Sequence, residues 1–184
     1  MATDGADRRG WSGPWAGRAL YLLLAAFLLT VPLLPLDTAP RTYATPDLLL
    51  AVTAAWAARR PDTLPVLLVA GVFLLADLLF QRPPGLLTAL VLILTEWLRR
   101  RSARLRRGSF GGEWAAVGGG LAAVALADRL LLAAVLTPQP PLGLTLIQVI
   151  LTIATYPLVS GVAQVALGLR RPAQGEVDAL GHRF

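Results

Sequence analysis

Four ionisable side chains fall inside otherwise hydrophobic stretches of this chain: Asp77, Glu96, Asp128 and Arg129. A charge in lipid is costly, so each needs a partner or a wet face. Two chemistries are open to them, an ion or proton relay and a structural bridge. Glu96 is the simplest case. Arg99 and Arg100 follow it by three and four residues on one helical face, which makes an interfacial ion pair. Asp128 and Arg129 are neighbours in sequence, but adjacent helical positions point about 100° apart and do not neutralise each other well. Asp77 lies in the outer half of its helix, within reach of an extended Arg129 side chain. The expectation is therefore an Asp77–Arg129 bridge between helices, with the relay as the alternative.

Other chemistry finds little support. There is no cysteine, and the one histidine is His182, near the last residue. Disulfides, thiolate catalysis and histidine-based zinc or general-base sites are thereby excluded. No nucleophile elbow, Walker loop or dinucleotide fingerprint appears. A membrane-embedded transferase would need clustered charges at one face, and Asp77 with Asp128 is the only candidate pair. The chain reads as a non-enzymatic protein with no cofactor and no metal.

The elements that position these residues are hydrophobic helices. Of the 184 residues, 55% are hydrophobic and 15% charged, against about 25% charged in soluble domains. The net charge of +6 would point to nucleic acid in a soluble chain. Here it tracks topology. All basic residues are arginine, and they crowd every second gap between apolar stretches. Arg8, Arg9 and Arg18 precede the first stretch and Arg59 and Arg60 follow the second. Arg99, Arg100, Arg101, Arg104, Arg106 and Arg107 follow the fourth, and Arg170, Arg171 and Arg183 come last. The other gaps hold Arg41, Arg82 and none. Positive charge resists crossing the membrane, so this alternation predicts six spans with both termini cytoplasmic. The fold class expected is all-α, a polytopic membrane protein. Membrane lipids are its first partners and nucleic acid is not one.

Residues 1–17 read as a polar cytoplasmic arm with Trp11 and Trp15 as interfacial anchors, 18–171 as the six-helix domain and 172–184 as a cytoplasmic tail. The first run, Ala19–Leu36, is long for a signal peptide and lacks a clear cleavage site, which favours an uncleaved helix. Pro46–Ala58 and Pro84–Leu98 are short, with arginines that snorkel outward at their ends. Leu64–Phe80 is joined to the fourth stretch by the tight Gln81-Arg82-Pro83, predicting a helical hairpin. The fifth stretch covers Glu113–Leu136. The sixth, Gly143–Leu169, carries Pro157, which should bend it. Period-2 alternation is absent, and backbone groups in lipid favour helices. Gly118, Gly119 and Gly120 give the fifth helix a thin face for close packing, internally or against a partner. Gly161 and Gly168 do likewise in the sixth, with Gln148 and Gln164 as polar contacts. The basic run Arg99–Arg107 is a topology determinant first, and secondarily a contact for anionic lipid or an acidic partner.

The order and spacing of several motifs resemble the bacterial rod shape-determining membrane protein MreD family. Pro46-Asp47-Leu48-Leu49-Leu50, running to Trp56 and Arg59-Arg60-Pro61, is similar to that family's second segment. Gly71, Asp77-Leu78-Leu79 and Gly85 resemble its glycine–aspartate–leucine–glycine signature, and Tyr156-Pro157 its last helix. The match covers residues 18–171. The arm before Arg18 and the arginine-dense run go beyond the motifs. The resemblance implies a non-enzymatic inner-membrane component of the elongation machinery. Its partners would be the bitopic MreC, the filament protein MreB, the glycosyltransferase RodA and its transpeptidase, in support of rod shape and lateral peptidoglycan synthesis. Gly71, Gly85 and Gly118–Gly120 are the candidate partner-packing positions. The family is also similar in architecture to six-helix vitamin-transporter subunits. The competing reading is accordingly a small-molecule-binding uptake subunit, with Asp77, Arg129, Gln81 and Gln139 lining a polar cavity open to the outer face.

Overall fold

The structure is a computed structural model that describes residues 14–34 and 44–167. Residues 1–13 of the expected arm, the tail 172–184, Gly168, Arg41 and the terminal arginines lie outside the described residues. Among the described residues six α-helices follow one another: α1 (Pro14–Thr30), α2 (Leu48–Arg59), α3 (Val66–Leu79), α4 (Leu86–Arg107), α5 (Phe110–Ala134) and α6 (Leu142–Leu167). No strand occurs among the described residues, so the expected all-α class holds. The segments Trp15–Leu33, Phe110–Ala134 and Leu142–Gln164 are long and apolar enough to cross a membrane, and α2 and α3 are shorter apolar helices. This is the character of a membrane protein. Large side chains such as Leu67, Ile93, Leu136, Ile150 and Leu158 point outward from the bundle.

The centre of the bundle is α2. Every residue from Leu49 to Arg59 is buried, although the helix has only 12 residues, or roughly 18 Å. Its alanines keep it thin, so neighbours close in on all sides. It packs chiefly against α4 and α6, and also against α5 and α1. Its N-terminus is capped by Asp47, whose Oδ1 accepts from Leu50 N at 2.9 Å. The Asp47 N–H donates to Thr152 Oγ1 of α6 at 2.9 Å. At the other end, Arg59 Nη1 donates to the Ser160 carbonyl of α6 at 2.9 Å. Both ends of α2 are thus fastened to one helix. On the opposite side Tyr21 of α1 meets Trp56 edge-on, with ring centroids 5.7 Å apart. The Tyr21 hydroxyl bonds Thr53 Oγ1 at 3.0 Å, and Trp56 Nε1 donates to Thr63 Oγ1 at 3.1 Å.

These contacts sort the bundle into two ends. One collects Arg59, Leu64, Arg106, Glu113 and Ser160 and is the basic end. The other collects Asp47, the α3–α4 turn, the α5–α6 connection and the first half of α6; we call it the turn end.

Two boundaries differ from the sequence expectation. The first helix begins at Pro14, so Trp15 and Arg18 are helical, with the Arg18 guanidinium 4.8 Å from the Trp15 ring centre. More consequentially, α4 does not stop at Leu98. It continues through the arginine run to Arg107, and only Gly108 and Ser109 separate it from α5. The segment expected as a loop is a helical extension because nothing in it breaks a helix before Gly108. Ser109 then caps α5, its Oγ accepting from Gly112 N at 3.2 Å. Pro157 does lie inside α6. It has no N–H to give the Ile153 carbonyl four residues back. Trp114 Nε1 of α5 supplies that bond instead, at 2.9 Å.

Candidate functional site

The turn end holds a partly open cavity of about 300 Å³ between α2, α4, α5 and α6. The tight α3–α4 turn contributes Gln81 and Arg82, the last third of α5 contributes Asp128 and Arg129, the α5–α6 connection Gln139, and α6 Thr145, Gln148 and Thr152. Leu86, Leu121 and Val124 form part of its apolar wall. Three of the four residues expected to line a polar cavity are there: Arg129, Gln81 and Gln139. Asp77 is not.

Asp77 is fully buried and acts elsewhere. Its Oδ2 accepts from Gly85 N at 3.0 Å, Thr88 N at 3.3 Å and Thr88 Oγ1 at 2.8 Å. It therefore caps the first turn of α4 from the preceding helix, satisfying donors that a helix start leaves open. Gly85 itself cannot cap, having no side chain, and takes a φ of 88° to reverse the chain into α4. The expected Asp77–Arg129 bridge is absent. Arg129 Nη1 instead donates to the Pro140 carbonyl at 3.1 Å and Thr145 Oγ1 at 3.0 Å. Gln139 Nε2 donates to the Arg129 carbonyl at 3.1 Å. The local cap wins because the hairpin brings backbone N–H groups onto Asp77, while Arg129 is held by its own turn. Glu96 behaves as expected, its Oε1 lying 2.9 Å from Arg100 Nε and its Oε2 3.6 Å from Arg99 Nε.

The basic end contains an ion pair that sequence reading missed. Arg59 Nε meets Glu113 Oε1 at 2.8 Å, with 5% and 1% of the two side chains exposed. Tyr156 donates its hydroxyl to the same oxygen at 2.8 Å. The group joins α2, α5 and α6. Glu113 stood at the expected start of the fifth stretch, and Tyr156 carried only a family motif. Their convergence, across 43 residues, had no local signal. Among the described residues, no three His, Cys, Asp or Glu side chains converge as a metal site would require.

The arginine run divides between anchoring and exposure. Arg99 donates to the Leu64 carbonyl, and Arg106 Nη1 to the Arg59 carbonyl at 3.2 Å. Arg101 stacks on Trp97, 4.4 Å from the ring centre. Arg100, Arg101, Arg104 and Arg107 are exposed, and so is Arg106 despite its bond.

The candidate glycines also divide. A Cβ on Gly120 would lie 2.4 Å from Leu94 Cδ1, and one on Gly118 3.1 Å from Ile153 Cγ2. Both pack inside the bundle, against α4 and α6, and Gly120 also borders the groove between α4 and α5. Gly85 serves the turn. Gly71 and Gly119 face open space. Gly119 lies in an apolar groove of about 500 Å³ between α4 and α5, with Leu90, Ile93, Trp97, Ala116 and Ala123 among its walls.

Fold and site together define a helical bundle of membrane character, with a polar cavity at one end and an apolar groove on its side. Comparison with known protein families, curated proteins and solved structures finds no match to this chain.

Proposed function

We propose that this chain is a non-enzymatic membrane scaffold that works by holding a bitopic partner's transmembrane helix. The observation that carries the reading is the α4–α5 groove. Its floor at Gly119 lets a partner backbone approach closely, and close packing supplies the association energy where lipid offers no hydrophobic contrast. The buried charges point the same way, since Asp77 Oδ2 caps α4 and Arg59 and Glu113 pair with each other inside the bundle. In this reading all six helices span the bacterial inner membrane, and the basic end with both termini is cytoplasmic. The motif resemblance is what favours a role in the rod-elongation complex, with an MreC-like protein as the proposed bitopic partner. MreB and a RodA-type glycosyltransferase with its transpeptidase are reached directly or through that partner. Its role is then control of cell shape and lateral peptidoglycan synthesis.

The test compares two neighbouring glycines. Gly119→Leu fills the groove without meeting an internal neighbour, so the protein should stay folded and lose partner co-purification. Gly120→Leu drives into Leu94 and should lower the yield of folded protein itself. Undiminished co-purification by Gly119→Leu removes the groove from the reading. A deletion strain of a rod-shaped host that keeps its width and lateral wall synthesis removes the scaffold function altogether.

A second reading, a small-molecule-binding membrane subunit of the vitamin-uptake type, is favoured by one observation, the polar cavity at the turn end. On the arginine rule that end faces away from the cytoplasm. Loss of uptake of a small solute in the deletion strain, with shape unchanged, selects it.

A further inference from the structure

We propose that the turn-end cavity binds a small zwitterion of dipeptide size, with its ammonium at Asp128 and its carboxylate at Arg82. The proposal rests on the small-molecule reading and names its ligand class.

Size comes first. About 300 Å³ is at the lower end of the range for small-molecule sites, roughly 300–1,000 Å³. The cavity is also built as such sites are, with an apolar wall at Leu86, Leu121 and Val124 and a few polar groups converging on it.

The second argument concerns which of those groups are already engaged. Asp47 is spent on Leu50 N, Arg129 on Pro140 and Thr145, Gln139 on the Arg129 carbonyl and Thr152 on Asp47 N and the Gln148 carbonyl. The Gln81 and Gln148 side chains also make no hydrogen bond among the described residues, but Asp128 and Arg82 are the unengaged groups that carry charge. Half-buried Asp128 makes no hydrogen bond or ion pair with any described residue. Arg82 stacks on Phe80, its guanidinium 5.6 Å from the ring centre, and its side-chain N–H groups find no acceptor among the described residues. Both line the cavity, and they form no ion pair with each other. A half-buried charge left unpaired is unfavourable. A half-buried anion and an exposed cation, neither in an ion pair, line one cavity beside an apolar wall and complement a molecule with an amine at one end, a carboxylate at the other and an aliphatic body.

The third argument is rigidity. The groups behind the pair are locked, because the Arg129–Thr145–Gln139 network fixes the α5–α6 connection and the Asp77 cap fixes the α3–α4 turn. Preformed sites lose less on ordering when a ligand enters.

The test uses the full-length protein in lipid nanodiscs and isothermal titration with alanyl-leucine, its C-terminal amide and its N-acetyl form. The free dipeptide should bind saturably, and each blocked form should bind at least about tenfold more weakly, since each loses a charge-assisted bond. Asp128→Asn should erase the preference for the free amine and keep that for the carboxylate. Arg82→Gln should do the reverse. Neither substitution removes a hydrogen bond of the fold, and an unchanged elution profile and melting temperature will show that both variants are intact. Saturable binding of all three forms with equal affinity overturns the zwitterion and leaves the small-molecule reading standing. No saturable binding of any form overturns the zwitterion proposal, and the small-molecule reading falls with it only if the deletion strain also keeps its solute uptake. Preferences that survive in both variants overturn the assignment to Asp128 and Arg82.

Discussion

Glu113 and Arg59, 54 residues apart in the chain, meet at 2.8 Å in the interior, and Tyr156 donates to the same carboxylate oxygen. Removing one member of a buried pair leaves the other charge uncompensated. Glu113→Gln should therefore lower stability by about 3–5 kcal/mol. Tyr156→Phe removes one bond to a charged acceptor and should cost about 1.5–3 kcal/mol. Replacing both charges at once, Arg59→Met with Glu113→Leu, should recover most of the loss, because an apolar pair of similar volume carries no desolvation penalty. Thermal unfolding in detergent, followed by tryptophan fluorescence, ranks the three.

Trp114 and Pro157 form a second coupled unit, through the Ile153 carbonyl. Trp114→Phe keeps the ring and drops the N–H, so it should cost about 1 kcal/mol. In a Pro157→Ala background residue 157 regains its N–H and can bond Ile153 within the helix. Trp114→Phe should then be nearly neutral. A double-mutant cycle measures the coupling, and additivity would show that the indole bond does not compensate the proline.

Asp77 should behave as a cap rather than as half of an ion pair. Asp77→Ala strands the Gly85 and Thr88 donors and should cost about 1–2 kcal/mol. Gly85→Ala forces a side chain into left-handed backbone, at roughly 1–2 kcal/mol. Arg129→Gln should leave the α4 start untouched. The charge swap Asp77→Arg with Arg129→Asp should be no better than the sum of its parts, as judged by melting temperature. Partial recovery would restore the interhelical bridge.

The two ends of the bundle give a topology prediction. Reporter fusions after Arg104, at the basic end, should read cytoplasmic, and those after Gln139, at the turn end, should read on the opposite face. The same reading from both positions would remove the spanning arrangement on which the scaffold proposal stands.

What was legible in the sequence follows the range of the physics involved. Helix class, number and approximate ends rest on local hydropathy and breakers. The Gln81-Arg82-Pro83 hairpin and the Glu96 pair are readable from neighbouring residues alone. The α4 extension is hidden because a dense run of charge resembles a loop, although Gly108-Ser109 marks the real stop and cap. Asp77 was recognised as structural but given a distant partner, when a turn and Thr88 eleven residues on supplied a near one. The Arg59–Glu113–Tyr156 group depends on how helices are arranged in space. A single chain carries no short-range trace of that.

The burial of α2 has a consequence for how the chain is made. Its polar ends are completed by Thr152 and Ser160, 105 and 101 residues downstream of Asp47 and Arg59. A nascent chain that has released α2 but not yet α6 holds an alanine-rich segment too short for a membrane core of about 30 Å, with an arginine not yet joined to its acceptors. Such a segment is bonded at both ends only when the last helix arrives. Ribosomes stalled before residue 152 should hold a protease-accessible intermediate, and prematurely terminated chains should be substrates for membrane quality control rather than partly working proteins.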